Sequence, residues 1–225
     1  VVFAHPKLKN LPLGPKWNWR IPAHHAEDEN KARLLAVFSK WARDPEANFR
    51  LPKVNLLFVK MSEGSSDNAV YAPTRGRRRV AVKAAQAVLA SEPPANVTKL
   101  DPSQRACINA SGAFEHVWNV EEYLFFMRQY KFVLSPVGNG VDTHRTWEAL
   151  LAGSIPIVES SVRDHMYEGL PVLILKTWSD LSLQLLQSAY ANLTAAGTSY
   201  RWEKLFAPYY LQQLTTDLVQ SYMSP

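Results

Sequence analysis

The sequence predicts an α/β fold, a Rossmann-like parallel sheet with helices on both faces. Three observations carry that expectation. The runs Asn55–Val59, Phe132–Leu134 and Ile155–Val158 are short, apolar and rich in the residues of buried strands. Longer stretches with helical periodicity, such as Arg75–Ser91 and Val120–Tyr130, lie between them. Lys131 to Glu159 then reads strand, glycine loop, helix, strand, and two strands joined through a helix are the building block of a parallel sheet.

Each element follows from local chemistry. Prolines at 6, 12, 15 and 22 make the start an extended connector. Glu27 to Arg43 is a helix with Ala32, Leu35, Ala36, Phe38 and Ser39 near one face, ended by Asp44-Pro45. The strand Asn55–Val59 runs into a polar loop, Lys60 to Ser66. Pro93-Pro94 break the chain after the helix ending at Ser91, and Val97 to Leu100 reads as a short strand. The helix over Val120–Tyr130 presents Tyr123, Phe126, Met127 and Tyr130 on its apolar face and leads into the central strand. In the loop Ser135 to Val141, Gly138 and Gly140 can take backbone angles other residues resist. Asp142 or Thr143 caps the next helix, which buries Trp147, Leu150 and Leu151 and stops at Gly153. A short helix around Arg163 to Tyr167, a strand over Pro171–Leu175, and amphipathic helices over Asp180–Asn192 and Tyr200–Tyr222 complete the chain.

The loop and helix beginning at Ser135 suit an anion, because glycine-loop amides and a helix N-terminus converge there. Arg145 sits in the first helical turn, where the helix dipole disfavours a cation. Reaching forward to a phosphate, which guanidinium holds in bidentate fashion, resolves that misfit. Glu148 lies three residues on, on the same face, and suits sugar hydroxyls as acidic groups do in dinucleotide sites. Read alone, the two residues are equally a surface ion pair worth about 0.2–0.5 kcal/mol.

Ser135, Gly138, Asn139, Gly140, Thr143 and His144 are the further candidates around this loop. Ligands gather at the carboxyl ends of strands in such folds, which adds Lys60 and Ser62 after the first strand. Arg75, Arg77, Arg78 and Arg79 crowd one helix start; Arg75 and Arg78 are the expected anion contacts and the others a solvated surface.

Composition bounds the partners. A net charge of +5 fits an anionic ligand or a mildly basic surface, and no Lys/Arg tract is long enough to argue for nucleic acid. Cys107 is the single cysteine, which excludes an internal disulfide and a cysteine-cluster metal site. No apolar run reaches the roughly 20 residues of a membrane helix. His24-His25 lack acidic neighbours at ligand spacing, and the sequence holds no H-E-x-x-H, G-x-S-x-G or Walker A pattern. No metal or cofactor is therefore expected. Sequons begin at Asn96, Asn109 and Asn192 and are compatible with a secretory lumen.

The stretch Ser135-Pro136-Val137-Gly138, Arg145-Thr146-Trp147-Glu148-Ala149 and Gly153-Ser154-Ile155-Pro156-Ile157-Val158 resembles the donor-binding segment of exostosin-type glycosyltransferases. Val137 stands where exostosins proper often carry a basic residue. The resemblance implies the C-terminal domain of a GT-B enzyme, Arg145 on the donor diphosphate and Glu148 on the nucleotide ribose. It implies a nucleotide-sugar donor, with a UDP-sugar expected, and a glycan or glycoprotein acceptor. Residues 1–45 would then be a remnant of, or connector from, an N-terminal domain that supplies the general base, and residues 46–225 the nucleotide-sugar-binding domain. Glu159 and Ser160, after the Ile-Pro-Ile-Val strand, would face the donor. The absence of a DxD motif gives no support to a metal-clamped diphosphate. Two other readings stay open: a non-catalytic sugar-nucleotide or glycan-binding relative, and a Rossmann nucleotide binder unrelated to sugars. The latter fits less well, because no G-x-G-x-x-G follows any predicted strand.

Overall fold

The computed structural model describes residues 27–59, 72–91, 120–138 and 141–223. Four strands form one sheet in sequence order: β1 (Asn55–Phe58), β2 (Tyr130–Leu134), β3 (Ile155–Glu159) and β4 (Leu173–Leu175). Every pair is parallel, with Leu57 opposite Phe132, Phe132 opposite Ile155, and Ile157 opposite Leu173. The carboxyl ends of β1 and β2 therefore point the same way, as the strand–helix–strand reading requires. The last strand is shorter than expected, since pairing starts at Leu173 and leaves Pro171, which has no N–H to donate, outside it. The expected strand over Val97–Leu100 lies outside the described residues.

Side-chain alternation along the strands divides the core into two faces. On one face Leu57, Phe132, Leu134, Ile155 and Ile157 meet Ala81, Val82, Ala85 and Val88 of α3 (Ala72–Ser91) and Leu186 and Ala189 of α6 (Leu183–Leu193). On the other, Phe58 and Val133 meet α1 (Glu27–Trp41), α4 (Val120–Met127) and α5 (His144–Leu151). Helices thus cover both faces, and α7 (Ala207–Met223) follows at the C-terminal side. Among the described residues, no helix is long and apolar enough to cross a membrane.

The apolar face of α1 differs from the expected one. Leu34, Phe38 and Trp41 are buried, whereas Ala32, Leu35, Ala36 and Ser39 are exposed. The i, i+4, i+7 spacing of the three bulky side chains sets the buried stripe, and small residues beside it cannot compete in buried area. This helix contributes to the same core as β1 and β2.

The lower end of α5 is fixed by a tight helix stop. Gly153 N–H donates to Leu150 O (3.0 Å) and Ser154 N–H to Ala149 O (2.8 Å), a Schellman arrangement with Gly153 left-handed at φ +75°. The short helix α2 (Pro45–Arg50), capped by Asp44, lies directly against it. Asn48 Nδ2 donates to Trp41 O (2.8 Å) and Leu151 O (3.2 Å), tying α1, α2 and α5 together.

Ser154 holds the next connection. Its fully buried hydroxyl lies 2.8 Å from both Met127 O and Tyr130 O and shares its one proton between them, pinning the end of α4 and the start of β2 to β3. Ser154→Ala removes this buried donor, so we expect a loss of about 1–3 kcal/mol. Urea unfolding should show a lower midpoint with an unchanged slope.

Candidate functional site

The site is built where β2 gives way to α5. Ser135 continues the β2–β3 ladder by one bond, its N–H donating to Ile157 O at 2.9 Å. Its buried hydroxyl lies 2.8 Å from Thr146 Oγ1 and 3.2 Å from Thr143 Oγ1, and the two threonine hydroxyls are 3.3 Å apart. This triangle fastens the loop to the first turn of α5. Ser135 and Thr143 therefore brace the site through their hydroxyls and shape it through their backbone.

Thr143, not Asp142, occupies the cap position, with extended angles of φ −131° and ψ 143°. Because its hydroxyl is turned into the triangle, it makes no capping bond to the helix N–H groups. Asp142 is instead buried, and its carboxylate accepts the Trp147 indole N–H at 2.9 and 3.2 Å. Its charge, after burial, helps push the Tyr167 phenol above the ordinary tyrosine range, and Thr146 hydrogen-bonds that phenol. Sequence reasoning saw Asp142 only as a cap. The signal that could have found this role is the buried indole five residues later, which needs an acceptor.

Gly138 departs from expectation in its backbone. The left-handed glycines among the described residues are Gly153, Gly169 and Gly197, so Gly138 holds an ordinary backbone conformation. A Cβ there would stand 3.4 Å from Thr143 Cγ2 and 3.5 Å from Arg78 Nη2, in ordinary van der Waals contact with both. The Arg78 guanidinium thus lies against the loop, reaching it from α3 on the opposite face of the sheet to α5.

Arg145 stands in the first turn of α5. Arg78 is half-buried, and its guanidinium is lowered from its ordinary range by burial first and then by the charge of Arg145. Positive charge is thus gathered near a strand's carboxyl end, where an anion is favourably placed. Arg77 and Arg79 are exposed, matching the solvated surface expected for them.

The other side of Arg145 is bounded by α4. Arg145 Nε donates to the Tyr123 hydroxyl at 3.3 Å. Burial pushes the Tyr123 phenol up to about 12, with Arg145 opposing and Glu148 adding to the rise. Glu148 is buried one turn along from Arg145, and His144 is half-buried at the first helical position.

Ser135, Gly138, Thr143 and Arg78 are therefore brought together, with His144, Arg145 and Glu148 following on α5. Lys60, Ser62, Asn139 and Gly140 lie outside the described residues, and so does the side chain of Arg75. Glu159 ends β3 half-buried, and Ser160 beyond it donates to Asp164 at 2.6 Å. A separate cleft lies between α1, α2 and α4, lined by Lys40, Trp41, Asn48, Glu121, Glu122, Phe125 and Arg128. It sits toward the amino ends of β1 and β2, away from the arginine pair.

The four-stranded parallel sheet flanked by helices is the α/β arrangement expected of an exostosin-like glycosyltransferase domain. The chain belongs to the RXYLT1 C-terminal domain family, which matches it over residues 109–221. That is a glycosyltransferase family, and the matched span includes β2, α5, β3 and β4. No curated protein matches the sequence.

Proposed function

We propose that this chain binds the nucleotide-sugar donor of a glycosyl transfer, a UDP-sugar, in the manner of a GT-B C-terminal domain. The acceptor is a glycan or glycoprotein hydroxyl, and no metal ion clamps the diphosphate. The observation that carries this reading is the Arg78 guanidinium lying against Gly138, in the loop at the carboxyl end of β2 that the hydroxyl triangle ties to the first turn of α5, where Arg145 stands.

In the transfer, the acceptor oxygen forms a bond to the sugar's anomeric carbon. The bond from that carbon to the diphosphate oxygen breaks, and the diphosphate leaves with the electron pair. The acceptor proton passes to base. Arg145, Arg78 and the loop amides act on the leaving group, where negative charge grows in the transition state. The hydroxyl triangle fastens the loop to the first turn of α5 before the substrate arrives, so the loop needs little reorganisation. Glu148 accepts hydrogen bonds from the nucleotide ribose. RXYLT1 is an exostosin-like xylosyltransferase, which makes UDP-xylose the first donor to test.

A thermal-shift panel of UDP, GDP and CMP tests the reading. A ligand at a hundred times its dissociation constant stabilises the folded state by about 2.7 kcal/mol. For a chain of this size that is about 5–10 °C. UDP should produce such a shift and CMP should not. A shift with GDP alone would replace the donor, and none with any of the three would remove the donor-site assignment.

A further inference from the structure

Arg145 is half-buried and carries the same charge as Arg78, which feels it, so what fixes its side chain matters to any anion bound there. The Tyr123 hydroxyl accepts the Arg145 Nε–H at 3.3 Å. Tyr123 is itself 4 % exposed and packed edge-on against Phe58 at 5.8 Å between ring centroids.

We infer that Tyr123 is a positioning residue for the donor diphosphate, holding the Arg145 guanidinium by its Nε so that both terminal nitrogens face the anion. This rests on the donor-site reading above and adds a determinant from outside the loop and helix that form it. A guanidinium has five N–H donors in a fixed fork. With Nε engaged at the side edge, the end edge that carries both terminal nitrogens stays open, and that edge can grip a phosphate by two parallel bonds. The phenol does this without charge. Burial keeps it protonated far above neutral pH, so it orients Arg145 without neutralising it, as a carboxylate would. Sequence periodicity marks Tyr123 only as an apolar-face residue of α4, because the ring satisfies that pattern whether or not its hydroxyl is used.

Tyr123→Phe separates this role from packing, since the ring and its contact with Phe58 are retained. NMR titration with UDP and with uridine should show UDP affinity falling about five- to tenfold, the net effect of one ordinary hydrogen bond. Uridine affinity and the melting temperature should stay near the parent's. On an Arg145→Lys background, which already lacks the fork, Tyr123→Phe should cost nothing further. Before any ligand is added, the Arg145 Nε–H of the parent should exchange slowly with solvent and that of Tyr123→Phe quickly. If Arg145→Lys weakens UDP binding while Tyr123→Phe binds like the parent, the positioning role is wrong and the donor site stands. Equal loss of UDP and uridine, with a lower melting temperature, would make Tyr123 purely structural. A parent that does not bind UDP overturns the donor-site reading and this inference together.

Discussion

Gly153→Ala is expected to destabilise the chain by roughly 3 kcal/mol or more, from two separate penalties. Gly153 sits at φ +75°, where a side chain costs about 1–3 kcal/mol of backbone strain. A Cβ at this position would also lie 2.3 Å from Asn48 C and O and 2.6 Å from Phe49 N. These are backbone atoms of α2, so no rotamer change relieves the clash. Either α2 lifts off α5, opening the Asn48 bonds to Trp41 and Leu151, or the helix stop unwinds. At this chain length the melting temperature should fall by at least about 6–12 °C. Gly197→Ala is the internal control, because Gly197 has φ +86° but nothing within 4 Å of the added carbon. If both substitutions cost the same, close packing against α2 is not what requires glycine at 153.

The second large effect is on ligand affinity. Arg145→Lys keeps the charge and loses the planar fork, so UDP affinity should fall by about 1–3 kcal/mol, or roughly 5–150-fold. Arg78→Met removes one of the two cations. It should weaken UDP by a similar factor and flatten the dependence of binding on salt. Glu148→Gln keeps the size and one acceptor oxygen, so ribose recognition should weaken. Calorimetry with UDP on folded variants measures all three. The expected signature is lost affinity with little change in melting temperature. Parent-like binding by both arginine variants, together with a Glu148→Gln protein that melts well below the parent, would make this helix structural.

Much of this arrangement could be read from the chain, and the reasons differ by element. The strands announce themselves because a fully buried parallel strand must be apolar on both faces, as Phe132, Val133 and Leu134 are. Arg145 and Glu148 were legible because a first-turn cation opposes the helix dipole and invites an explanation. Arg78 can be separated from Arg77 and Arg79 by period alone. It falls three, four and seven residues before Ala81, Val82 and Ala85, which puts it on the sheet-facing stripe of α3.

Other features depend on partners distant in sequence. In α1 the inward stripe is the i, i+4, i+7 series Leu34, Phe38 and Trp41, which packs in the same core as α4 and which a face drawn through the small residues misses. Gly138 looked like a conformational glycine because its neighbourhood is loop-like. Its backbone is ordinary, and its notable neighbour is the Arg78 guanidinium, from sixty residues earlier. Asp142 looked like a cap because Asp commonly caps, whereas the Trp147 indole claims it. Tyr123 was hidden for the same reason, as a residue whose ring fits the core and whose hydroxyl serves another helix.

The central claim is that a nucleoside diphosphate lies between Arg78 and Arg145. The most direct measurement is a crystal structure of this chain soaked with UDP. The account predicts the diphosphate against the loop Ser135 to Gly138, within hydrogen-bond distance of both guanidinium groups, with the ribose toward Glu148. UDP bound instead in the cleft lined by Trp41, Phe125 and Arg128, with Arg78 and Arg145 untouched, would contradict it.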